Sequence, residues 1–123
     1  MQDHYAKLTQ TITRNLDSMR RGQPDVMKGF GMLGKAATAP GVLDEKTKEL
    51  IALALGVSQH CDGCIGFHAK ALVKLGATLD EVRETLSVAV YMGGGPSLMY
   101  AANAIAAFEE FSAVQAKAQG TPV

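Results

Sequence analysis

The sequence predicts an all-α fold of about six helices in a single domain spanning residues 1–123. Three observations carry that expectation. Apolar residues recur at steps of three and four along most of the chain, no segment alternates with a period of two, and β-branched residues nowhere cluster. At 123 residues the chain is long enough for one real hydrophobic core and too short for two ordinary ones.

Tyr5, Leu8, Ile12, Leu16 and Met19 fall at helical spacing, so a first amphipathic helix is expected over about Asp3–Arg20. Gly22 and Pro24 punctuate it. Pro24 suits the first turn of a second helix whose apolar stripe is Val26, Phe30, Leu33 and Ala37, although Gly29, Gly31 and Gly34 weaken it. Ala39-Pro40-Gly41 reads as a turn, after which Asp44 can cap a third helix. The latter half of that helix, Leu50 to Leu55, is apolar on all sides and so belongs in the middle of the fold.

A break at Gly56–His60 leads into a fourth helical segment, Cys61–Leu75, ended by Gly76 as a left-handed cap. Thr78-Leu79-Asp80-Glu81 has the capping-box pattern for a fifth helix that buries Val82, Leu86, Ala89 and Val90. Gly93-Gly94-Gly95-Pro96 stops it. Pro96 then opens a last helix through Leu98, Ala102, Ile105 and Phe108, where alanines permit close helix contact, and the tail from about Lys117 is expected to fray.

Composition narrows the function. Lys+Arg and Asp+Glu both number 12, so no charge excess attracts nucleic acid or an anionic membrane. Hydrophobic residues make up 47% of the chain, which excludes disorder, yet no run near 18 apolar residues could span a bilayer. The polar start MQDHYAKLTQ lacks the apolar region of a secretion signal, so a reducing, cytoplasmic setting is expected. Two cysteines in such a setting call for a reason other than a structural staple.

That reason lies in the stretch from Glu49 to His68. Cys61, Cys64 and His68 fall at about 0°, 300° and 340° around a helix, on one narrow face. Side chains three apart have Cβ atoms about 5–6 Å from each other, close to what a disulfide needs, so the pair can cycle between dithiol and disulfide without rebuilding the backbone. A helix start and a neighbouring imidazolium both favour thiolate. Cys64 and His68, related by i and i+4, make the better nucleophile and base, which leaves Cys61 to resolve the intermediate. Glu49 stands one residue before the apolar run, where partial burial would suit it to hold and pass a proton. Two other readings of these residues remain open: a zinc site using Cys61, Cys64 and His68 with His60 or Glu49, and two inert buried thiols. The glycines before Pro96 read as turn punctuation rather than an anion site.

The pattern Glu49-x11-Cys61-x2-Cys64-x3-His68, followed by Gly76-Ala77-Thr78 and a helix, resembles the alkylhydroperoxidase D-like branch of the carboxymuconolactone decarboxylase family. The resemblance covers about residues 40–111, and the first forty residues add little to it. It implies an all-helical domain that assembles as a trimer, dimer or hexamer and reduces peroxides through its cysteine pair, without cofactor or metal. By position, Cys64 resembles the peroxide-attacking thiol, Cys61 the resolving thiol, His68 the relay imidazole and Glu49 its carboxylate partner. That branch has a histidine between its cysteines, where this chain has Asp62 and Gly63, which implies a shorter relay. The decarboxylase branch shares the fold but generally lacks the cysteine pair, and is the second expectation for an enzyme. The resemblance thus implies a peroxide or disulfide substrate, a dithiol reducing partner and self-association.

Self-association is expected on independent grounds. A helix apolar all round, six methionines and an alanine-rich last helix offer more apolar surface than one thin bundle covers.

Overall fold

Residues that satisfy or stop the backbone set the helix ends. In the computed structural model, which describes residues 3–120, the Asp44 carboxylate accepts the Thr47 N–H at 2.8 Å. Thr78 and Glu81 close both arms of a capping box at 3.1 and 2.8 Å. Gly76 takes the left-handed conformation at φ 79° that the end of its helix requires. The described residues form seven helices and no strand: α1 (His4–Asn15), α2 (Asp17–Gly22), α3 (Pro24–Thr38), α4 (Glu45–Ser58), α5 (Asp62–Lys74), α6 (Leu79–Gly93) and α7 (Gly95–Ala118).

The all-α class is as expected, and the seventh helix comes from the first expected one dividing at Leu16. The division is slight. Leu16 keeps a right-handed helical backbone, donates to the Ile12 carbonyl and accepts from the Arg20 N–H, so the path barely turns. Pro24 and Pro96 open α3 and α7 as the sequence suggests.

The core is built where α4, α5, α6 and α7 meet, with α1 laid across α5. Leu53 and Val57, Ile65 and Leu72, and Val82 are fully buried there, joined by Leu86, Phe108 and Phe111. Lys46 on α4 reaches Glu81 on α6 at 2.7 Å, and this ammonium holds the Glu81 carboxyl below its usual range. On α7 the expected stripe holds at its C-terminal half, where Phe108 is buried and Ile105 packs on the core, and gives way earlier. Ser97, Ala101, Ala104 and Ala107 face inward, while Leu98 is 51% exposed. Small residues there let the α7 backbone close on its neighbours.

Two apolar faces stay open to solvent. No residue of α3 is buried: Val26, Phe30 and Leu33 form the expected stripe, and they are 56%, 71% and 64% exposed, with none of the described residues covering them. On α4, Ile51 and Leu55 stand on an outer face at 46% and 54% exposure, although that helix is central. Among the described residues, no helix is long and apolar enough to cross a membrane.

Candidate active site

The site forms where α4 hands over to α5. Helix α4 runs through Gly56 to Ser58, past the break expected at Gly56. A Cβ on Gly56 would lie 3.1 Å from Cys64 Cβ, so this glycine lets α5 approach rather than ending α4. The end comes at His60, whose φ of 55° is left-handed. Its N–H donates to the Val57 carbonyl at 3.1 Å and the Cys61 N–H donates to the Gly56 carbonyl at 3.0 Å, the paired bonds of a Schellman ending. Cys61 therefore closes α4 and caps α5 at once. The His60 ring stacks on Tyr100 of α7, centroids 4.6 Å apart and planes within 4°, which fixes the connection from the side.

Cys61 and Cys64 are joined in a disulfide, with Cα atoms 5.2 Å apart. The Cys61 sulfur also accepts the Cys64 N–H at 3.1 Å, as an N-cap side chain does. It thus lies among the unpaired N–H groups of the α5 start, where negative charge is favoured.

Across from the sulfurs, Glu49, Leu53 and Gly56 make one stripe of α4 against α5. Glu49 is 7% exposed, and its Oε2 lies 2.6 Å from His68 Nδ1. A carboxylate this deeply placed needs a donor, and His68, one turn beyond Cys64, supplies it. With Nδ1 engaged, Nε2 is the ring nitrogen left to exchange protons. All four residues singled out in the sequence thus lie at the α4–α5 junction, in two bonded pairs, and among the described residues no hydrogen bond links His68 to either sulfur. Nor, among those residues, are three or more His, Cys, Asp or Glu side chains arranged to hold a metal ion.

Four contributors carry no functional signal in the sequence. Gly56 reads there as punctuation. Asp62, between the cysteines, accepts a 2.9 Å hydrogen bond from Tyr5 Oη, and Glu110 takes the Tyr5 and Ala6 N–H groups at 3.1 and 2.8 Å, capping α1. Tyr5 showed only as one position of an amphipathic stripe, and no local signal pairs it with residues this far along the chain.

The profile of the carboxymuconolactone decarboxylase family matches residues 24–107, from the start of α3 well into α7. The chain belongs to the carboxymuconolactone decarboxylase family. A member of this family from Legionella pneumophila, known from its apo crystal structure, is 58% identical to it, with a TM-score of 0.88 over 90% of this chain and 99% of that one. A carboxymuconolactone decarboxylase family protein from Thermotoga maritima, described with its crystal structure as possibly involved in antioxidative response, is 34% identical. It covers 74% of this chain and 94% of its own, with a TM-score of 0.68. An uncharacterized protein of Cupriavidus necator is 40% identical over 111 residues, 90% of this chain and 97% of its own length.

Proposed function

We propose that this family member is a thiol-dependent peroxidase or disulfide reductase of the alkylhydroperoxidase D-like kind, cycling Cys61 and Cys64 between dithiol and disulfide. The observation that carries the reading is the Cys61–Cys64 disulfide at the start of α5, with His68 one helical turn beyond Cys64 and bonded to the buried Glu49 of α4. The antioxidative context of the Thermotoga maritima relative supports it.

In the reduced protein, Cys64 as thiolate attacks the terminal oxygen of a hydroperoxide. The O–O bond breaks, Cys64 becomes a sulfenic acid, and the departing alkoxide takes a proton from His68 to leave as the alcohol. Glu49 orients the imidazole through Nδ1. Cys61, as thiolate, then attacks the Cys64 sulfur; the S–S bond forms and hydroxide departs as water once protonated. Two thiols have lost two electrons, and the peroxide has gained them. A dithiol partner restores the pair by exchange through a mixed disulfide. Cys64 is assigned the attack because an imidazole one turn away outweighs a helix-end effect of about 0.3–1 kcal/mol at Cys61.

A titration of free thiols before and after one equivalent of hydrogen peroxide, with metal analysis of the same sample, tests the reading. Two thiols falling to nearly none, in metal-free protein, is the expected result. Thiols that stay unreactive would make this a non-catalytic helical protein, and stoichiometric zinc would make it a metal-binding module.

A further inference from the structure

Asp62 sits between the two cysteines, yet the steps above leave it unused. It is the first helical residue of α5, in the turn that carries both sulfurs, and its Oδ1 accepts the Tyr5 hydroxyl of α1 at 2.9 Å. Tyr5 is 4% exposed and held from several directions. Its N–H donates to Glu110 of α7, and its carbonyl accepts the Thr9 hydroxyl at 3.0 Å. Ile12 and Thr9 close on Gly63 and Gly66, where added Cβ atoms would lie 2.9 and 2.8 Å from them, so α1 lies tightly along the start of α5. Burial, and then the bond to Asp62, pushes the Tyr5 phenol well above its usual range, so Tyr5 remains a donor wherever thiols titrate.

We propose that Tyr5 and Asp62 set the reactivity of the cysteine pair: Tyr5 holds the Asp62 carboxylate against α1, and the charge of that carboxylate opposes thiolate formation in the same turn. The inference rests on reading Cys61 and Cys64 as a redox dithiol. Thiolate at a helix start is stabilised by unpaired N–H groups, and a carboxylate in the first turn both repels it and draws on those groups. Without the Tyr5 hydroxyl, the whole carboxylate charge is released to compete for the N–H that Cys61 accepts from Cys64. Tyr5 is thus a positioning residue, acting only through Asp62. The other titratable groups around this turn are Glu49 of α4, His68 of α5, His60 with Tyr100 of α7, and His4 and Glu110 beside Tyr5. None of these changes in the variants below.

The test is the pH profile of iodoacetamide alkylation of the reduced full chain. Asp62→Asn is expected to lower the pKa of the first-titrating thiol by about one unit, a roughly tenfold gain in thiolate at neutral pH. Tyr5→Phe, which keeps the buried ring, is expected to raise that pKa, and adding it to Asp62→Asn is expected to change nothing further. A purely structural role for Tyr5 would move the melting temperature and leave the profile in place. An Asp62→Asn profile that matches the parent, or a Tyr5→Phe shift of equal size in both backgrounds, overturns the inference. Should the reduced parent fail to close its disulfide with peroxide, the redox reading falls and this inference with it; should it close while the variants titrate like the parent, this inference alone falls.

Discussion

At the scale of single residues, buried charge and missing methyl groups decide where the chemistry sits. Glu49 would be costly to bury alone, and the His68 Nδ1 at 2.6 Å offsets that cost, so the contact fixes the imidazole and satisfies the carboxylate together. Glu110 is equally buried, at 7% exposure, and is satisfied by two N–H groups of the α1 start, where Asp3 offers no side-chain cap. Glycine matters in the opposite sense. A Cβ on Gly66 would lie 2.8 Å from Thr9 Cγ2 and 3.4 Å from Tyr5 Cδ1, and Thr9 is buried and β-branched, with little room to yield. Overpacking costs about 1–3 kcal/mol, while replacing a mid-helix glycine returns up to about 1 kcal/mol. Gly66→Ala is therefore expected to lose up to about 2 kcal/mol of stability, read as a lower urea midpoint at unchanged m value. A raised midpoint would mean that α1 does not press on α5 as described.

At the scale of elements, what the sequence made legible was local. Asp44, Thr78 with Glu81, Gly76, Pro24 and Pro96 act within a few residues of themselves, so their caps and starts could be read without knowing the fold. The candidate site was legible for the same reason. Cys61, Cys64 and His68 lie along one face of α5 and its cap, and Glu49 meets His68 from α4, the helix just before it. Where a neighbouring helix decides, the sequence was silent. Gly56 has the composition of a helix stop, and only the presence of α5 beside it makes it a contact. On α7 the sequence shows Phe108 but not Ser97, Ala101, Ala104 and Ala107, because alanines carry little hydrophobic signal although they determine how closely helices approach. The Tyr5–Asp62 and Tyr5–Glu110 bonds join residues 57 and 105 positions apart, beyond any periodicity.

At the scale of the whole molecule, the chain leaves too much apolar surface uncovered. Phe30, Met32 and Leu33 on α3, Ile51 and Leu55 on α4, and Val88, Tyr91 and Met92 on α6 are all exposed, far more than scattered single residues account for. Self-association that covers α3 and these outer faces is the expected consequence, as a closed trimer, dimer or hexamer. Sedimentation at micromolar concentration should therefore give a species two to six times the 13.0 kDa chain, and a stable monomer would contradict it. The proposed mechanism assigns the attack on peroxide to one sulfur, the Cys64 thiolate, with His68 one turn away. Its most direct test is to treat the reduced Cys61→Ser and Cys64→Ser variants with peroxide and a sulfenic-acid trap, and to locate the adduct by mass spectrometry. The expected result is a sulfenate trapped at Cys64 in Cys61→Ser, formed more slowly when His68→Ala is added; ready trapping at Cys61 in Cys64→Ser, with Cys61→Ser inert, would contradict the assignment of Cys64 as attacker.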